Sequence, residues 1–111
     1  MFNYQIIIEY NGTNFVGWQK QTNGISVQQI IEKIFTKILT EKINIYGSGR
    51  TDAGVHAVGQ SAHFFTKTKI NNKFLFLNSV NFFLSKKKIS ILRIDNKKIE
   101  FHARFSAKQR E

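Results

Sequence analysis

Cysteine is missing from these 111 residues. That excludes a disulfide framework and a thiolate metal site, and it fits a cytosolic chain. Long apolar runs are missing too: nothing nears the roughly twenty residues that a membrane-spanning helix needs. No signal-peptide pattern precedes Met1-Phe2-Asn3-Tyr4, so the expectation is a cytoplasmic location without membrane attachment. Acidic residues are scarce, seven against seventeen basic ones, which leaves a formal net charge of +10. A surplus of that size points to a polyanionic partner. A proteome rich in lysine and asparagine would show the same bias, so charge alone favours nucleic acid only modestly. Repeats, linkers and low-complexity tracts are also missing, and a chain of this length makes one domain with a single two-layer core.

What is present suits a folded domain: 41% of residues are apolar, and eleven are Phe. Tyr4, Ile6, Ile8 and Tyr10 alternate with other residues and predict a strand with those four on one face. Turn chemistry at Asn11-Gly12-Thr13-Asn14 ends it. From Ser26 onward, Val27, Ile30, Ile31, Ile34, Phe35, Ile38 and Leu39 recur near the helical period. Ser26 and Gln29 fit a capping box at the start of that helix. Ile43-Asn44-Ile45-Tyr46 and Gln60 to Thr66 read as two strands on either side of a glycine-rich run. A second helix begins at Asn72, with Phe76, Leu77, Val80, Phe83 and Leu84 on one face, and Lys86-Lys87-Lys88 closes it. Ile89 to Ile94 is a further strand, and the alternation from Phe101 to Ala107 opens one more. The order β-α-β-β-α-β predicts an α+β, ferredoxin-like domain, an antiparallel sheet with two helices on one face. RNA-recognition modules share that order, so it does not separate enzyme from binder.

Residues 47 to 63 read GSGRTDAGVHAVGQSAH and differ from all that surrounds them. They hold four of the seven glycines, two of the three histidines and one of the two aspartates. Asp52 lies between Gly49 and Gly54, where another molecule can approach the backbone closely. If the segment is locally extended, Arg50, two residues earlier, leaves on the same face, where its guanidinium favours an ionised carboxylate or holds a phosphate. Such a carboxylate can act as nucleophile or base. On Thr51-Asp52-Ala53-Gly54 alone, a tight turn is the better reading. The glycines do not follow the phosphate-loop pattern. His56, His63 and His102 lack metal-ligand spacing, so no metal is expected, and His63, inside a strand, reads as structural. Trp18 follows a glycine-containing turn and suits either loop packing or contact with RNA.

The run GSGRTDAGVHAVGQSAHF resembles the signature of the tRNA pseudouridine synthase TruA family, G-R-T-D-x-G-V-H-A-x-x-Q. Residues 8 to 19, IEYNGTNFVGWQ, are similar to that family's opening I-E-Y-D-G-T-x-F-x-G-W-Q, with Asn11 where Asp is usual. Ser26-Val27-Gln28 matches the start of its first helix, and residues 101 to 107, FHARFSA, match its F-H-A-R-F-S-A block. Several separate motifs in the right order are far more specific than any one of them.

The resemblance implies an enzyme that isomerises uridine to pseudouridine in the tRNA anticodon stem-loop, at nucleotides 38 to 40, without a cofactor. By the same resemblance Asp52 is the catalytic nucleophile, attacking sugar or base, and Arg50 helps to flip the target nucleotide out of its stack. Thr51, His56 and Gln60 of the signature, with Arg104 of the later block, are the further substrate-binding residues it implies. The family works as a homodimer, and its chain is more than twice this length, with a cleft between two similar halves. Residues 1–111 would then be the amino-terminal domain, a fragment or truncated product that stops before a pocket-lining Tyr. A free-standing, non-catalytic RNA-binding module is the other reading, and it requires stacking aromatics at exposed strand positions.

Overall fold

The computed structural model describes residues 1–10, 26–47 and 57–98. Its elements run β1 (Phe2–Tyr10), α1 (Val27–Leu39), β2 (Tyr46–Gly47), β3 (Ala57–Thr66), α2 (Lys73–Leu84) and β4 (Ile89–Lys97), with a 3-10 turn at Ser85–Lys87. The strands form one sheet in the order β2-β3-β1-β4, and every neighbouring pair is antiparallel. This is the α+β, ferredoxin-like arrangement that the order of elements predicts. The strand expected from Phe101 onward lies outside the described residues.

Alternation in β1 does what its period demands. Tyr4, Ile6, Ile8 and Tyr10 are all buried on the helix side, together with Ala62 and Phe64 of β3 and Ile91 and Ile94 of β4. Rings tie the layers together. Tyr4 stacks on Phe64 at 5.7 Å, Phe64 meets Phe35 edge-on at 5.1 Å, and Phe35 meets Phe76 edge-on at 5.2 Å. One line of aromatics thus joins the sheet to α1 and α2. The buried Tyr4 hydroxyl is not wasted, because it accepts the Ile70 backbone N–H at 2.8 Å. Both helices start at the predicted caps: the Ser26 hydroxyl accepts from Gln29 N, and the Asn72 side chain accepts from Leu75 N.

The short strand expected at Ile43-Asn44-Ile45-Tyr46 is smaller in the structure, where only Tyr46 and Gly47 pair with β3. Ile43 and Ile45 are still fully buried. Their backbone is satisfied by α1 instead. Ile45 N donates to the Glu32 carboxylate at 2.9 Å, Ile45 O accepts from the Gln28 amide at 2.8 Å, and Ile43 N donates to the Thr36 hydroxyl at 3.1 Å. Polar side chains one and two turns apart on a helix do here what a neighbouring strand does elsewhere. The same device works on the far side. Asn81 of α2 accepts from Ile91 N at 2.8 Å and donates to Ile91 O at 3.0 Å, covering backbone of the outermost described strand.

A third tie holds the end of β3. The Glu41 carboxylate accepts from the Thr66 hydroxyl, from Lys67 N at 3.1 Å and from the Thr68 hydroxyl at 3.1 Å. The Thr66 hydrogen bond first, and then those from Lys67 and Thr68, hold the Glu41 carboxyl below its ordinary value against the opposing effect of burial.

Two measurements test these ties. Replacing Glu32 by Ala leaves a buried Ile45 N–H without its acceptor and destabilises the fold by about 1–3 kcal/mol in urea titrations. Glu32→Gln, which keeps a carbonyl acceptor, loses clearly less; equal losses would show that the hydrogen bond to Ile45 is not the cause. Glu41 makes the second case. Its folded-state value is lowered, so its contribution is complete above about pH 4.5 and is lost as pH falls through the lowered value. The gap in unfolding midpoint between the native chain and Glu41→Gln closes over that acid range, and a gap independent of pH would contradict the tie.

Candidate active site

The signature run is mounted on the β2–β3 hairpin. Tyr46 pairs with His63 and Gly47 with Ala62, and residues 48 to 56 connect the end of β2 to the start of β3 at Ala57. Asp52, Arg50, Thr51 and His56 belong to that connection and lie outside the described residues, as do Arg104 and Trp18. Gln60 alone of the expected site residues is described. It sits in β3 opposite Ile8, half-buried, on the sheet face that carries Ala62 and Phe64. The structure therefore places the two strands that flank the connection, with Gln60 in the second, and does not bring the expected set together.

How the run re-enters the sheet was not legible beforehand. Ile8 pairs with Gln60 and Glu9 with Val58, which leaves Gly59 as an extra residue in β3. Its φ of +82° is the left-handed conformation that glycine adopts without strain, and a bulge of this kind bends the strand. Across β1, Ile7 pairs with Arg93 and Ile8 with Ile91, so Leu92 is the extra residue in β4. Both bulges fall at the same level of β1. They reshape the end of the sheet from which β3 begins, at Ala57 opposite Tyr10.

The sheet face away from the helices carries a second feature. Tyr46 lies over His63 at 5.1 Å, tilted by 26°, and both rings meet Phe65 edge-on, at 6.3 Å and 5.3 Å. His63 is fully buried, in keeping with a structural role, whereas Tyr46 is 41% exposed. The cluster follows from the pairing of β2 with β3, so the one signal available in sequence was the alternation of His63 and Phe65 in β3. Nearby on this face the Gln5 amide donates to the Ser61 hydroxyl at 2.8 Å, and Arg93 pairs with Asp95 at 3.0 Å in solvent. Among the described residues, no group of three or more His, Asp or Glu side chains is placed to hold a metal ion. No helix among them is long and apolar enough to cross a membrane.

Comparison with known proteins bears on the same run. Residues 6–106 match the family model described as tRNA pseudouridine synthase, which covers both the signature and its framework. The chain is 56% identical over 110 residues to the protein named tRNA pseudouridine synthase A of Pelagibacter ubique, a match spanning 99% of this chain and 45% of that one. It is 46% identical over 108 residues to the protein of the same name from Ehrlichia ruminantium, spanning 96% of this chain and 44% of the other. The corresponding protein of Neorickettsia sennetsu is 46% identical over 107 residues, with 96% and 44% covered. The chain thus spans less than half the length of these relatives. The match takes in β1, the hairpin and the run between its strands together, and on it the chain belongs to the tRNA pseudouridine synthase family.

Proposed function

We propose that the chain is the amino-terminal domain of a tRNA pseudouridine synthase of the TruA type and carries its catalytic loop. The observation behind this reading is the match over residues 6–106, which includes Gly49-Arg50-Thr51-Asp52 on the β2–β3 hairpin. The relatives' additional length supplies the other side of the cleft. The substrate is the anticodon stem-loop of tRNA, at nucleotides 38 to 40, and the working enzyme is a cytoplasmic homodimer.

The reaction breaks the bond from N1 of uracil to C1′, turns the base while it is held, and joins C5 to C1′. The C5 proton leaves and N1 gains one, so nothing is oxidised or reduced and no cofactor is called for. What the protein must provide is a nucleophilic carboxylate and a site that keeps the detached base in place. Asp52 is the nucleophile in this reading, because it is the only carboxylate in the signature run. Arg50, two residues earlier in the sequence, helps in this reading to flip the uridine out of its stack. Thr51, His56, Gln60 and Arg104 orient the substrate. The +10 charge holds the tRNA backbone through its phosphates.

In the complete enzyme, Asp52→Asn keeps tRNA binding and loses turnover, since the amide is nearly isosteric yet far less nucleophilic. Tritium release from tRNA labelled at C5 of uridine measures this, and normal release by the variant would end the assignment. The charge makes its own prediction. Affinity for tRNA falls steeply with salt, with a log–log slope proportional to the number of phosphates neutralised. Substitutions at Lys67 and Lys69, or at Lys97 and Lys98, reduce that slope if those clusters contribute. A flat salt response would remove electrostatics as the main source of binding.

A further inference from the structure

Beside the aromatic cluster, the sheet opens into a cleft of about 430 Å³ lined by Met1, Glu41, Lys42, Asn44, Tyr46, Phe65 and Lys67. We infer that this cleft is a stacking site for an unpaired nucleotide of RNA, with Tyr46 and Phe65 as its aromatic wall and Lys42 and Lys67 as its phosphate contacts. The inference rests on the RNA-modifying reading above, and it concerns a place other than the signature residues.

Each part of the cleft suits one part of a nucleotide. A base stacks best on a ring that is partly exposed and already fixed, because little freedom is then lost on binding. Tyr46 meets both conditions: it is 41% exposed, and His63 and Phe65 hold its ring from neighbouring positions. Lys42 and Lys67 are exposed and line the cleft, one from the segment after α1 and one from the segment after β3. Asn44 adds an amide that can both donate to and accept from a base edge. Among the described lining residues, Glu41 is the one group that opposes a phosphate. Its carboxylate is already turned onto the Thr66 hydroxyl, Lys67 N and the Thr68 hydroxyl, so donors of the protein meet its charge.

The position also fits one strand of RNA reaching both places. Asp52 comes six positions after Tyr46, a span of at most about 22 Å even when fully extended. A nucleotide held at Tyr46 therefore lies within a few nucleotides of one presented to Asp52. The chemistry recognised is a base with its phosphate, which an unpaired RNA segment or a free nucleotide could each bring.

The test uses the complete enzyme and fluorescein-labelled single-stranded oligouridylate six nucleotides long, with uridine monophosphate as competitor. Tyr46→Ala weakens oligouridylate binding about tenfold, as loss of one stacked base does elsewhere, while Tyr46→Phe stays within about twofold because the ring face is kept. The double variant Lys42→Ala/Lys67→Ala, at exposed positions, lowers the salt slope of binding. Uridine monophosphate displaces the oligomer poorly if RNA is the ligand, and equal displacement per nucleotide would overturn the RNA assignment. Native affinity in Tyr46→Ala, together with an unchanged salt slope in the lysine variant, would overturn the site itself. Those results are separate from the fate of the proposed reaction, which Asp52→Asn and tritium release decide without reference to Tyr46.

Discussion

A buried backbone amide must find an acceptor, and in this domain the helices supply acceptors where the sheet runs out. Gln28, Glu32 and Thr36 of α1 hold Ile43 and Ile45, and Asn81 of α2 holds Ile91. The two helices therefore do more than cover one face with apolar side chains. Their polar flanks close off backbone on both sides of a sheet whose outermost described members are β2 and β4. Backbone satisfied in this way at Ile43, Ile45 and Ile91 is not open to a foreign strand at those positions. Ile43 and Ile45 can then sink fully into the core without belonging to the ladder.

At the other level of the sheet, two bulges do related work. Gly59 and Leu92 each add a residue opposite the same stretch of β1, and each strand bends where it does so. Within the signature run, β3 begins at Ala57, two residues before Gly59 and its positive φ. This ties the placement of Gln60, opposite Ile8 on the helix side, to a backbone feature one residue away.

Periodicity made most of the fold legible. Period two in residues 4 to 10 gave the buried face of β1, the helical period gave α1, and Ser26 and Asn72 gave both helix starts. Periodicity also has limits. Glu32 is a polar residue between apolar neighbours, and nothing local says that it is buried for the sake of an amide thirteen residues later. Ile43 and Ile45 alternate like a strand because burial alternates, even though only Tyr46 and Gly47 pair. The second helix shows the opposite difficulty: it is apolar nearly all round, and Phe74, Leu75 and Phe82 remain exposed beside the buried Phe76, Val80 and Leu84. The family was legible as a motif, whereas the Tyr46, His63 and Phe65 cluster needed the register of β2 against β3, which sequence does not print.

That register matters beyond packing. β2 is only two residues long, too short for its own ladder to resist a shift by one position. A slip of one residue would turn Tyr46 to the opposite face and move Gly47 away from Ala62, displacing both ends of the run that contains Arg50 and Asp52. What opposes the slip is the grip of Gln28 and Glu32 on both backbone groups of Ile45, the residue directly before β2. For the isomerisation proposed, the protein contributes positioning of a carboxylate and of a detached base, and small misplacements weaken that contribution steeply. The stiffness at the entry to the signature run is thus supplied from helix α1, by residues that are no part of the signature itself.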